Sequence, residues 1–212
     1  MKKGLVFVLL AVFFSSMVSC SAAADTIGGP YAPRPGQEAG SGSGSGNDNS
    51  AVEKSEVEKV PVYCFYNGYM KDHFLTASED ELNDLLLGYT LGNSYYMYQG
   101  ISGHCSQSQA EDSIPVYRFW NGRTMDHFYT INEDEKEKLL EDYRFGRDNY
   151  IYEGIAWYVP QTSDTPVYRF FDMAGFNHFY TSDEKVKDDL SLAYLNGVGT
   201  YKFEGIAWYW YD

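Results

Sequence analysis

Basic residues are scarce in this chain. Of its 212 residues, 16 are Lys or Arg and 30 are Asp or Glu, a formal charge of −14. It therefore has no surplus of cations to neutralise phosphates or grip an anionic membrane, which excludes sequence-independent nucleic-acid binding. Cysteine occurs only three times and proline seven, too few for a disulfide-dense scaffold or a collagen-like segment. The apolar run from Leu5 to Phe14 is too short to span a bilayer. There is no GxSxG, HExxH, P-loop or CxxC motif, so no common catalytic or cofactor signature is present and no cofactor is expected. What is abundant is aromatic: 20 Tyr, 13 Phe and 4 Trp, all but four after residue 60.

The first sixty residues read as an address and a tether. Lys2 and Lys3 precede the apolar run and small residues follow it, the pattern of an export signal. Two exits are open. Cleavage after Ala24 would remove a 1–24 signal peptide. Alternatively, Met17-Val18-Ser19-Cys20 resembles a bacterial lipobox with Met in place of the usual Leu, which would remove 1–19 and lipidate Cys20. Residues 25–60 lack apolar periodicity and are rich in Gly, Ser and Pro, as a linker is. The chain is thus expected to be secreted, or anchored at the cell surface or outer membrane by lipid alone. In an oxidising compartment Cys64 and Cys105 would form a disulfide, stabilising by roughly 3–4 kcal/mol in the chain-entropy view.

Residues 61–212 contain one unit three times, at 61–114, 115–165 and 166–212. Pro61-Val62-Tyr63-Cys64-Phe65-Tyr66-Asn67-Gly68 returns as Pro115-Val116-Tyr117-Arg118-Phe119-Trp120-Asn121-Gly122 and as Pro166-Val167-Tyr168-Arg169-Phe170-Phe171-Asp172. Asp72-His73-Phe74-Leu75-Thr76 returns as Asp126-His127-Phe128-Tyr129-Thr130 and Asn177-His178-Phe179-Tyr180-Thr181. The units close on Tyr98-Gln99-Gly100-Ile101, Tyr152-Glu153-Gly154-Ile155-Ala156-Trp157 and Phe203-Glu204-Gly205-Ile206-Ala207-Trp208.

The pattern within a unit predicts strand, turn, strand, helix, strand. The first block is β-branched and aromatic and stops at a turn residue, and the second is its return arm. Ser78 with Glu81, and Asn132 with Glu135, have capping-box spacing; Ser182 precedes Asp183 and Glu184. In the last block Gly154 and Ala156 are expected on one side, with Ile155 and Trp157 on the other. About fifty residues with one hairpin bury too little to fold alone. The expected fold is therefore mostly β with short peripheral helices, its three repeats closed around a pseudo-threefold axis. A β-trefoil-like domain or a small three-bladed assembly would satisfy this; an open solenoid is the alternative.

These blocks resemble a family of uncharacterised exported repeats bearing VYRFYN, HFYT and YEGIAFYV segments. The likeness covers about 61–211. It supplies no established catalytic residues to carry over and implies an accessory module, of the kind that trails secreted hydrolases or stands alone. Because the repeats look like those of sugar-binding trefoils, it also implies carbohydrate binding by analogy of fold.

Comparison between units singles out polar residues. Arg118 and Arg169 accompany Glu153 and Glu204, whereas the first unit has Cys64 and Gln99; charges that disappear together suggest structural ion pairs. His73, His127 and His178 are equivalent and would make a three-imidazole zinc site only by converging; turn bonding or ring packing is the expected role, and no metal is predicted. For a glycan, which needs an aromatic face with polar groups beside it, the candidates are Tyr66 with Asp72, Trp120 with Asp126, and Phe171 with Asn177. The leading expectation is a non-catalytic module binding cell-surface or matrix carbohydrate. The alternatives are a structural or adhesive protein contacting protein, and a hydrolase whose carboxylate pair has no signature.

Overall fold

Each repeat is organised by its hairpin turn. In the first, the Asn67 side-chain oxygen accepts from the N–H groups of Tyr69 and Met70, both at 3.1 Å. Asn121 does the same for Arg123 and Thr124, and Asp172 for Ala174 and Gly175. Such side-chain capping of a turn is what Asn and Asp do well. The residue that re-enters the second strand is left-handed in all three turns, with φ of 61° at Lys71 and 58° at Met125 and Phe176.

The computed structural model describes residues 57–212. The export signal, Cys20 and the linker up to residue 56 lie outside the described residues. The first repeat consists of β1 (Val60–Asn67), β2 (Asp72–Thr76), α1 (Glu79–Thr90) and β3 (Tyr96–Cys105). The second has β4 (Ser113–Asn121), β5 (Asp126–Thr130), α2 (Glu133–Arg144) and β6 (Tyr150–Pro160); the third has β7 (Pro166–Asp172), β8 (Asn177–Thr181), α3 (Glu184–Leu195) and β9 (Tyr201–Tyr209). Every repeat forms its own three-stranded antiparallel sheet with the first strand central: β2-β1-β3, β5-β4-β6 and β8-β7-β9. The fold is mostly β, with three repeated units.

The helices are capped as the spacing predicts at Ser78 and Asn132, whereas α3 is capped by Asp183, whose carboxylate accepts from Lys185 and Val186. None of the three buries a residue fully, so they cover the sheets from outside. Alternation in the last strand is broken. Pairing shifts register on either side of Tyr117–Arg118, where Ile155 and Gly154 sit opposite, and Gly154 has φ of 113°. These bulges turn Ile155 out to solvent while Trp157 is buried, so the two do not share a face.

The inner strands β2, β5 and β8 touch one another, and the same ring contact recurs at each of the three junctions between repeats. Phe74 packs on His127 at 4.7 Å, Phe128 on His178 at 4.7 Å, and Phe179 on His73 at 4.8 Å. The third contact joins the last repeat to the first, so the units form a closed circuit rather than an open solenoid. Below these rings lies an aromatic core in which Trp157, Trp208 and Trp210 approach each other at 5.4–6.1 Å.

The expected Cys64–Cys105 bridge is not formed. Cys105 is a buried free thiol, and burial pushes its pKa up to about 12. The register explains this: Cys105 faces Val60 while Cys64 faces Gly100. Four residues of extended strand separate the two positions by about 13 Å, beyond the Cα separation a disulfide can span.

Candidate functional site

The three junctions are built from equivalent positions. At junction 1–2, Asp72 at the start of β2 is fully buried and takes three hydrogen bonds. Its oxygens lie 2.6 Å from His127 Nδ1 and 3.0 Å from the His127 backbone nitrogen, and it accepts from the Tyr96 hydroxyl at 2.6 Å. At junction 2–3, Asp126 accepts from the His178 backbone at 2.7 Å and the Tyr150 hydroxyl at 2.5 Å, and lies 2.7 Å from His178 Nδ1. Burial would raise the Asp126 pKa, but the hydrogen bonds and charge of His178 outweigh it and hold the carboxyl below its ordinary value.

An arginine fork spans the same junctions. Arg118 donates from both terminal nitrogens to Glu81 of the preceding repeat at 2.9 and 3.0 Å, and from Nε to Glu153 of its own at 2.9 Å. Arg169 repeats this with Glu135 and Glu204 at the same distances. The Arg–Glu pairs expected from the sequence are thus in contact, each with a second carboxylate from the neighbouring helix. Arg118 also lies over the Phe74 ring and Arg169 over Phe128, at 5.2 and 5.1 Å. Burial opposes ionisation of Glu81 and Glu135, yet the arginine and threonine hydrogen bonds prevail and lower both pKa values.

Junction 3–1 has lost this set. Asn177 stands in place of Asp72 and Asp126, Val186 of Glu81 and Glu135, Cys64 of the arginines, Gln99 of Glu153 and Glu204, and Leu75 of Tyr129 and Tyr180. Both His73 Nδ1 and Asn177 Nδ2 are buried without a hydrogen-bond partner.

The glycan contacts expected at Asp72, Asp126 and Asn177 need correction: all three are buried, and the two aspartates are consumed by the next repeat's histidine. The aromatic members are half-buried and lie on the histidine of their own hairpin, Tyr66 on His73 at 4.7 Å, Trp120 on His127 at 4.4 Å and Phe171 on His178 at 5.2 Å. His127 and His178 are each held by a different carboxylate and do not converge; among the described residues no group of three His, Cys, Asp or Glu could hold a metal ion.

A family profile described as a domain of unknown function (DUF5648) matches residues 44–147 and 141–212. The chain belongs to this family. No curated protein and no solved structure matches it.

Clefts open at the outer mouths of the junctions. Between α2 and the third repeat is a cavity of about 250 Å³ walled by Phe128, Leu139 and Tyr150, with Glu135, Lys138, Arg169, His178 and Glu204 supplying polar groups. The equivalent positions at junction 1–2 are Phe74, Leu85, Tyr96, Glu81, Arg118, His127 and Glu153, with Asp84 in place of Lys138. On the other side of each fork lies a more polar cleft, lined by Thr76, Glu81, Arg118 and Glu153 at one junction and by Thr130, Glu135, Arg169 and Glu204 at the next. Sequence reasoning missed the tyrosines at 96, 150 and 201, although they recur at the start of the third strand in every unit. That recurrence was the available signal. Among the described residues no helix is long and apolar enough to cross a membrane.

Proposed function

We propose that this is an exported, non-catalytic module that binds carbohydrate of a cell surface or matrix through its inter-repeat clefts, two of them rather than three. It would be secreted, or held at the surface by a lipid on Cys20. The observation that carries the reading is the cavity at Phe128, Leu139 and Tyr150: an apolar aromatic wall beside fixed polar groups suits a sugar's C–H face and its hydroxyls. Junction 1–2 retains that wall and fork, whereas junction 3–1 lacks the arginine and both glutamates. Likeness to sugar-binding trefoils contributes only the analogy of a threefold repeat.

Hydrolysis is the poorer reading. A glycosidase acid must keep its proton near neutrality, which needs a raised pKa. The cleft carboxylates at Glu81 and Glu135 are lowered instead and saturated by arginine. An adhesive protein that contacts protein has one observation in its favour. Leu192, Leu195 and Val198, at and beyond the end of α3, are 60, 80 and 82 % exposed, and large exposed apolar groups commonly mark contact surfaces.

The test is a glycan array probed with the mature chain, alongside Leu139→Glu and Trp120→Ala. Glycan capture that Leu139→Glu reduces tenfold or more, and that Trp120→Ala leaves intact, is the expected result. Failure of the wild type to retain any glycan overturns the reading, and attachment to deglycosylated cells would favour the protein-contact alternative.

A further inference from the structure

The third junction differs from its sisters at five positions, and Asn177, Val186, Gln99 and Leu75 stand there without the polar ties that the sister residues make. Asp72 and Asp126 each hold the next repeat's histidine, but Asn177 makes no bond to His73. The His73 imidazole is enclosed by the rings of Tyr66 and Phe179, and its Nδ1 has no partner. Charged groups face it from three strands: Asp72 from its own, Asp126 from β5 and Asp172 from β7. None is bonded to it. A buried imidazole without an acceptor resists protonation, and a proton forced upon it would be an uncompensated buried charge.

Beside the Phe179–His73 ring contact, the C-terminal tail contributes to closure at this junction. Trp210 packs over Gly103, the Tyr211 N–H donates to the His104 carbonyl at 3.0 Å, and Lys59 bonds the Asp212 backbone. We propose that junction 3–1 is the circuit's opening seam, and that protonation of His73 in acid releases the last repeat from the first while the other two junctions hold.

The sign follows from linkage. Burial takes the His73 pKa down from 6.5 to about 4, against the opposing pull of Asp72, Asp126 and Asp172. An opened seam returns the imidazole to water and its ordinary value. Opening therefore gains from each fall in pH between 6.5 and 4, by up to about 300-fold in total, and no further below that. At the other junctions the histidine and arginine partners hold the Asp126, Glu81 and Glu135 carboxyls below their ordinary pKa values, which favours their charged, bonded forms as the pH falls.

Three amides report the three junctions separately: Tyr211 for the seam, Leu75, whose N–H is bonded to the Tyr129 hydroxyl, and Tyr129, whose N–H is bonded to the Tyr180 hydroxyl. Hydrogen exchange of the full chain, normalised to intrinsic rates, should show Tyr211 losing protection between pH 7 and pH 4 while Leu75 and Tyr129 keep theirs. Asn177→Asp, which gives His73 the carboxylate its sisters have, should keep Tyr211 protected at pH 4.5. His73→Phe should remove the pH dependence. Unchanged Tyr211 protection at pH 4, parallel loss at all three amides, or an Asn177→Asp variant that opens as readily as the wild type would each overturn the proposal.

Discussion

Gly103 on β3 and Trp210 at the C-terminus occupy one place between them: a Cβ on Gly103 would lie 2.3 Å from the Trp210 ring. Gly103 pairs with Val62 where Trp157 pairs with Val116 and Trp208 with Val167. The first repeat thus gives up its tryptophan, and the tail of the third returns one across the seam.

This relationship predicts a compensating pair. Trp210→Ala should lose about 3–5 kcal/mol through the cavity it leaves, and Gly103→Trp alone should destabilise by overpacking. The double variant should be more stable than the additive sum of the two, because Trp157 and Trp208 show that the strand position accepts an indole. Urea unfolding of all four proteins gives the cycle.

The arginine fork predicts strong coupling. Arg118→Cys leaves Glu81 and Glu153 facing one another, and should cost about 3 kcal/mol. Adding Glu81→Val and Glu153→Gln copies junction 3–1 and should recover part of that loss, as measured by denaturant midpoint.

Tyr129 and Tyr180 tie the inner strands together. The Tyr129 hydroxyl donates to the Leu75 carbonyl and accepts from the Leu75 N–H, both at 2.9 Å. Tyr129→Phe strands two buried backbone groups and should cost about 1–3 kcal/mol. Leu75→Phe at the seam, where no hydroxyl is bonded, has no such pair to lose. Calorimetry of both variants separates hydrogen bonding from ring volume.

Asp126 predicts the acid limb of stability. Its folded-state pKa lies below the ordinary 3.8, so its contribution is present above that value and lost as pH falls through the lowered one. Asp126→Asn should destabilise by about 3 kcal/mol at pH 7 and flatten the stability profile below pH 4. Urea titrations at stepped pH measure both effects.

The repeat boundaries, hairpin turns and two of the three helix caps were legible because each rests on residues a few positions apart. The Arg118–Glu153 and Arg169–Glu204 contacts were legible for another reason: the first repeat lacks both members at once. The burial of Asp72 and Asp126 was not, since an acidic residue beside a turn looks the same whether it meets solvent or a histidine about fifty residues on. Nor could one strand's sequence show two bulges that send Ile155 outward and Trp157 inward.

By itself the chain's order of residues determined that three like units exist and how each folds locally, because hydrogen-bonded turns, caps and strand patterns are short-range. Only the tertiary structure decided which side chains lock neighbouring units, that one junction lost its ties, and that the tail restores its missing tryptophan. Those outcomes depend on groups brought together by closure of the circuit, and distance along the chain carries no record of that geometry.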